Sequence, residues 1–450
     1  MASRGLVCLI FFLKILWVLG VVSAMEQWRE ELMRNLQVEL EDDECEEHVW
    51  KMAVAQMGDF EDEEKTVQVG GSRPGRAPNV NRNFEMGHQI IFQDYFSNEP
   101  VYGPLMFRRR FRMRRELFLR IMDTISTHDS YFVQRSNCVG TMGLSSLQKC
   151  TAALRILAYG VAADSTDEYC RIGESTAIES MKRFCAAVRA CFGATYMRKP
   201  TRSDIINQMR INEERGWPGM FGSLDCMHWG WKNCPVAWQG QFQDKDGNRS
   251  IILEAIADQS LWIWHAFFGL PGGNNDLNVL DRSTVVQDIL MGEGQDLTFT
   301  VNGNVYPRFY LLTDGIYPKW SCFVQSIHEP QGEKRKHFAE VQEATRKDIE
   351  RCFGVLQARF QIVKNPCRQW DMDTMDDIML ACCIMHNMII EDEQDLGLED
   401  LFDPCSTIQV QSRRNWQYIR GMVELEHSGR HFALKNDLID HLWQLKGEDM

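Results

Sequence analysis

Three acidic residues stand at positions a folded chain could gather. Asp225 lies in Met220-Phe-Gly-Ser-Leu-Asp225-Cys-Met-His228-Trp229, and Asp314 ends Phe309-Tyr-Leu-Leu-Thr-Asp314. Glu350 lies in Arg346-Lys-Asp-Ile-Glu350-Arg-Cys-Phe-Gly-Val-Leu-Gln-Ala-Arg-Phe360. A carboxylate carried by an apolar strand is costly unless something compensates it. Three converging carboxylates repel one another unless cations neutralise them. Oxygen-only ligands suit Mg²⁺ or Mn²⁺. Two such ions, roughly 3.5–4 Å apart, activate water and stabilise the leaving oxygen in phosphodiester cleavage. Asp225, Asp314 and Glu350 are therefore expected to hold divalent metal. Asp348 competes with Glu350 for the third place, and Asp276 is either a further ligand or a helix N-cap. His228 either touches a substrate phosphate or is a structural histidine beside Trp229.

These acids need a sheet and a helix to bring them together. Phe309–Thr313 is a continuous apolar run, broken by Gly315 and Pro318, and reads as a strand buried on both faces. Residues 220–231, 250–258 and 261–269 read as three earlier strands, the last two joined at Asp258-Gln-Ser. Short connections make them an antiparallel meander. A helical stretch from Asp276 to Leu290 follows, then the buried strand, a loop with Lys334, Arg335 and Lys336, and a long helix. Ile349, Phe353, Leu356 and Phe360 share one face of that helix. Glu350 lies about 100° round from Ile349, at the edge of the face, and Gly354 leaves room beside it. The order β-β-β-α-β-α is that of the ribonuclease-H-like fold, a mixed sheet flanked by helices. Its first and fourth strands are adjacent, which sets Asp225 beside Asp314. Lys334, Arg335, Lys336, Arg346 and Lys347 would either follow a phosphate path or remain solvated charges.

Upstream the chain reads as small helices. Phe107 to Met122 forms an apolar stripe (Phe107, Phe111, Phe118) dressed with arginines, six of them within residues 108–115, a candidate phosphate-contacting surface or import signal. Leu144–Tyr159, a short polar helix, and Ala177–Cys191 after Gly173 follow a helix-turn-helix rhythm, offering Lys182, Arg183 and Arg189 to DNA.

At 450 residues the chain has room for two or three domains. The expected division is a hydrophobic leader at 1–24, an acidic, largely disordered leader and linker at 25–99, and a helical, helix-turn-helix-like all-α domain at 100–205. A nuclease domain at 206–395 and a C-terminal loop with helices at 396–450 complete it. The leader is signal-like, or precedes a true start at Met25. No later segment reads as a membrane span. The net charge of −14 argues against a nucleic-acid-binding surface overall but leaves room for a local basic groove. The 15 cysteines include no CxxC pair and read as free thiols, several of them (Cys150, Cys185, Cys352, Cys382, Cys383) in helix cores.

Several motifs, in order, resemble the PIF/Harbinger transposase family, and particularly its plant ALP1-like members. They are Gly222-Ser-Leu-Asp225-Cys-Met-His-Trp229, Trp262-Ile-Trp-His-Ala-Phe-Phe-Gly269, Asn275-Asp-Leu-Asn-Val-Leu280, Leu312-Thr-Asp314-Gly-Ile-Tyr-Pro318 and Arg346-Lys-Asp-Ile-Glu350-Arg-Cys-Phe-Gly354. The likeness covers roughly residues 100–395, with a weaker echo at Asn436–Trp443. The family's DDE triad falls on Asp225, Asp314 and Glu350, with 35 residues between the last two, which favours Glu350 over Asp348. The resemblance implies an RNase-H-like DDE endonuclease that hydrolyses DNA phosphodiesters with two metal ions, nuclear residence, and a separate Myb-like DNA-binding partner. It equally implies an alternative, a domesticated, catalytically silent chromatin- or DNA-associated adaptor. The 1–24 leader departs from that pattern and leaves the secretory pathway as the alternative location.

Overall fold

The computed structural model describes residues 80–138, 140–285, 290, 296–394 and 428–448. The leader and the acidic segment up to residue 79 lie outside the described residues. From Asn81 onward the chain belongs to one compact unit.

The centre is a five-stranded mixed sheet. Strands β1 (Met220–Gly230), β2 (Ser250–Ala257) and β3 (Ile263–Pro271) form an antiparallel meander. A separate hairpin follows, β4 (Thr298–Val301) with β5 (Asn304–Pro307). The chain then enters β6 (Tyr310–Thr313), parallel to β1, and ends the sheet with β7 (Phe323–Gln325), parallel to β6. The strand order is β3-β2-β1-β6-β7. The meander and the neighbouring of the first strand with the buried apolar strand are therefore observed. The hairpin is an addition, although Asn302-Gly303, both at positive φ, is a turn signal the sequence carries.

Helices precede, interrupt and follow these strands. They are α1 (Phe84–Ile91), α2 (Pro104–Phe111), α3 (Arg115–His128), α4 (Ser146–Tyr159), α5 (Asp167–Cys170), α6 (Glu174–Tyr196) and α7 (Arg202–Glu214). After the meander come α8 (Asp276–Arg282), α9 (Glu333–Arg359), α10 (Gln361–Lys364), α11 (Met372–Gln394) and α12 (Ser428–Glu448). One apolar cluster runs without a break from Ile91 and Phe118, through Leu154 and Phe184, to Leu224, Ile256 and Met385. Helix α6 lies along α11, and α11 lies on β3. The expected boundary near residue 205 is thus crossed by a shared core. Residues 84–96, expected in the linker, instead form α1 and a following helical turn, with Ile91 and Tyr95 buried.

The basic helix differs from expectation for a clear reason. It breaks at Arg112, which takes φ 64°, so the stripe Phe107, Phe111 and Phe118 is buried from two helices. Two of its arginines pair with acids elsewhere in the fold. Arg108 pairs with Glu393 at 2.7 Å and Arg114 with Asp392 at 2.6 Å, both acids at the end of α11. Likewise Arg183 pairs with Asp129 and Glu179, and Arg189 with Asp376 and Asp377. Two of the three cations expected to face DNA from α6 therefore hold the helices together.

A second apolar cluster forms on another side of the sheet. Trp217, Met220, Tyr310, Leu312, Val324 and Phe338 meet Phe299 of the hairpin and Leu434, Leu438 and Leu442 of α12. The C-terminal helix thus buries one face against the sheet and α9. Every described cysteine is a free thiol, and no described helix is long and apolar enough to cross a membrane.

Candidate active site

The parallel register of β1 and β6 aligns Ser223 with Leu312. Asp225 comes two residues further along β1, and Asp314 two residues after Leu312, just past the end of β6. Side chains repeat every second residue in a strand, so Asp225 keeps the face of Ser223, and Asp314 is near enough for its charge to raise the Asp225 pKa. Gly222 helps set this alignment, because a Cβ there would lie 2.7 Å from the Ala257 carbonyl oxygen on β2.

Asp225 is only 17% exposed. Its Oδ1 accepts the Cys226 N–H at 2.9 Å, and its Oδ2 accepts from Arg346 Nη1 at 2.8 Å. Burial pushes its pKa up to about 6; the Cys226 N–H and the Arg346 guanidinium oppose the rise, while Asp314 and Asp276 add to it. Asp314 lies just beyond β6, half-buried, and its Oδ1 accepts the Ile316 N–H at 2.9 Å, turning the chain.

Glu350 reaches Asp225 through a cation. Arg346 Nη2 donates to Glu350 Oε1 at 2.7 Å, one helical turn along α9. A single guanidinium, 17% exposed, thus joins Asp225 to Glu350, which is itself 46% exposed. Asp348 faces elsewhere: it is buried and pairs with Arg215 at 2.7 Å and with Arg351. The approach of α9 to β1 is fixed nearby, where Trp217 Nε1 donates to Thr345 Oγ1 at 3.0 Å.

Asp276 opens α8, but the N-cap is Asn275, whose side chain accepts the Asn278 N–H at 2.9 Å. Burial raises the Asp276 pKa and Asp314 raises it further, against a hydrogen bond from Cys226 and the field of His228. Asp276 therefore joins the acid group as a fourth carboxylate. His228 is exposed and lies 2.9 Å from the Ser250 hydroxyl through Nδ1.

Of the five basic residues expected along a phosphate path, only Arg346 meets the acids. Lys334 pairs with Asp440, and Lys336 with Glu333 at 3.2 Å, in the first turn of α9 rather than in a loop. Arg335 and Lys347 are exposed. Among the described residues no three acid, cysteine or histidine side chains converge as a ready-made metal cage. In this structure the cation between Asp225 and Glu350 is Arg346.

Two contributors escape a reading of the sequence for acids alone. Arg346 is four residues before Glu350, the spacing of a helical ion pair, and that spacing is the signal for its role. Glu254 is a lone acid in the apolar run Ile251-Ile-Leu-Glu-Ala-Ile-Ala257 and is fully buried. It accepts from the Ser283 hydroxyl, at the end of α8, and lies 3.3 Å from His265 Nε2. It sits opposite Cys226 in the β1–β2 register.

Residues 194–397 match the model of the plant transposon protein family. This segment is a Harbinger-type, transposase-derived domain. Residues 87–126 match a second model, a domain of unknown function. The human candidate nuclease HARBI1 is 24% identical over 245 residues, 52% of this chain and 66% of that protein. The Arabidopsis thaliana ALP1-like protein is 24% identical over 323 residues, 68% of this chain and 76% of the relative. Another A. thaliana relative, named antagonist of like heterochromatin protein 1, is 25% identical over 256 residues, 55% of this chain and 63% of its own length. The chain thus spans just under two thirds of the human and antagonist relatives. No solved structure matches the chain. The Harbinger-type segment contains the whole sheet and all four acids.

Proposed function

We propose that this Harbinger-type chain is a divalent-metal-dependent DNA endonuclease built on an RNase-H-like core, with Asp225, Asp314 and Glu350 as its DDE triad. The observation that carries this reading is that Asp225, two residues past the Ser223–Leu312 pair on β1, and Asp314, just past the end of the neighbouring parallel strand β6, lie close enough for the charge of Asp314 to raise the Asp225 pKa. The strand order and the names of the relatives support it.

The donors fit Mg²⁺ or Mn²⁺ in kind, since all are carboxylate oxygens. Burial raises the Asp225 pKa, and the neighbouring charges of Asp314 and Asp276 add to the rise, which a bound cation would oppose. When bound, a pair of such ions would supply the Lewis acidity that activates water and steadies the departing oxygen. Asp225 and Asp314 would hold the ions from the sheet, Glu350 would complete the set from α9, and Asp276 would adjust the local charge. Arg346, released from Asp225, would then be free to donate to a phosphodiester oxygen. His228 would border the DNA from the exposed end of β1. In this reading the protein works in the nucleus on DNA, with a separate Myb-like protein supplying sequence recognition.

The test is cleavage of supercoiled DNA by the full chain with Mg²⁺ or Mn²⁺, beside Asp314→Ala and Glu350→Gln. Metal-dependent nicking lost in both variants is expected, and nicking retained in Asp314→Ala would sink the assignment.

One observation favours a second reading. Arg346 already neutralises Asp225 and Glu350, as a metal-free, catalytically silent DNA- or chromatin-associated adaptor would require. Full function of the triple-alanine variant in cells would select that reading.

A further inference from the structure

A cavity of about 470 Å³ opens among the N-terminal helices, away from any residue discussed above as a metal ligand. Its wall carries Tyr95, Tyr102, Tyr159 and Tyr169 with two guanidiniums, Arg110 and Arg155. Arg110 lies 4.0 Å from the Tyr102 ring centroid and donates to the Tyr95 hydroxyl. Arg155 donates to the same hydroxyl at 3.2 Å and lies 5.5 Å from the Tyr159 centroid.

What distinguishes these two cations is their lack of an anion. Neighbouring Arg108 and Arg114 are each paired with an acid on α11. Neither Arg110 nor Arg155 makes an ion pair among the described residues, and Arg155 Nε is buried with no acceptor. The carboxylate on the wall, Asp94, accepts from the Tyr169 hydroxyl at 2.8 Å instead. Two part-buried guanidiniums on one wall repel each other and lack compensation. Burying charge in this way is tolerated where a partner anion completes the site.

We propose that this cavity binds a phosphate monoester, carried by a free nucleotide or by the end of a nucleic-acid strand. A dianionic phosphate matches two guanidiniums, which recognise it through forked N–H donors. The tyrosine hydroxyls add neutral donors. The volume exceeds what inorganic phosphate needs, and the aromatic wall offers stacking surface for a sugar and base. This assignment is independent of the acid cluster and does not require metal.

The test is binding to the full chain, in chelator, by calorimetry. The probes are inorganic phosphate, a deoxynucleoside 5′-monophosphate, and short single strands bearing either a 5′-phosphate or a 5′-hydroxyl. The phosphorylated strand should bind at least about tenfold more tightly than its hydroxyl twin, the scale of one charge-assisted hydrogen bond. Strand and mononucleotide binding equally well would assign the free nucleotide; a clear preference for the strand would assign the strand end. Arg155→Gln and Ser165→Glu, the latter placing an acid on the cavity wall, should each abolish that difference. Ser165→Glu leaves the arginine packing intact, so it tests the site if Arg155→Gln unfolds. Indifference to the 5′-phosphate, or tighter binding of a phosphotyrosine peptide than of any nucleotide probe, would overturn the proposal.

Discussion

Arg346 Nη1 donates to Asp225 Oδ2 at 2.8 Å, so the cation that balances a strand-borne acid comes from the helix expected to supply the third ligand. A guanidinium in this position and a divalent ion are competitors for the same oxygens. Arg346→Gln should therefore raise Mn²⁺ affinity by about tenfold, the weight of one charge-assisted hydrogen bond. Titration calorimetry, or the loss of the free-Mn²⁺ signal in electron paramagnetic resonance, measures this without relying on cleavage. An affinity unchanged or lowered by the substitution would show that Arg346 does not stand in the metal's place.

Asp225 carries a pH signature. Its carboxyl titrates near 6 in the fold, above its ordinary value of 3.8, because burial disfavours the charged form. A raised acid contributes stability that is complete below the unfolded pKa and is lost as pH rises through the folded one. In chelator, the wild-type chain should thus lose stability between about pH 4 and pH 6, by at most about 3 kcal/mol. Asp225→Asn should skip this loss, matching the wild type near pH 4 and exceeding it near pH 7.5 in urea unfolding. A variant that is weaker by the same amount at both values contradicts the raised pKa.

The elements that carry the acids were legible because their patterns are strong. Apolar runs gave β1, β2, β3 and β6, and the single apolar face of α9 placed Glu350 at its edge. The strand β7 was not legible, since Phe323-Val-Gln is too short to show a period. Arg108 and Arg114 read as part of a surface because their partners, Glu393 and Asp392, are distant in the chain. Local pattern fixes neither who pairs with whom nor which cation enters the site. The same limit hid Glu254, which looks like an interruption of β2 until Ser283 is brought beneath it.

Asp348 and Glu350 are two residues apart and do opposite work. Asp348 is 4% exposed and bonded to Arg215 from the end of α7, so it ties two elements together. Asp348→Asn should destabilise the fold by about 2–4 kcal/mol, as expected when one partner of a buried pair is weakened, while sparing Mn²⁺ affinity. Glu350→Gln should barely change stability, since Glu350 is 46% exposed, yet weaken Mn²⁺ binding. Unfolding curves and metal titrations on both variants separate the roles, and the reverse pattern would hand the third position to Asp348.

Ser283 links the buried acid of β2 to the placement of Asp276. Its hydroxyl donates to Glu254 Oε2 and accepts the Val285 N–H at 3.1 Å, at the C-terminal end of the helix that Asp276 begins. Glu254 Oε1 already lacks a partner within the fold. Ser283→Ala would leave Glu254 with His265 as its remaining neighbour and should cost about 1–3 kcal/mol, the penalty for a buried polar group deprived of its donor. Because α8 is short, loosening its far end should also free Asp276 from the Cys226 thiol. Hydrogen exchange would show this as faster exchange of the Val279 and Leu280 amides, with β1 unchanged. Equal exchange in α8, with stability retained, would mean that Glu254 does not anchor this helix.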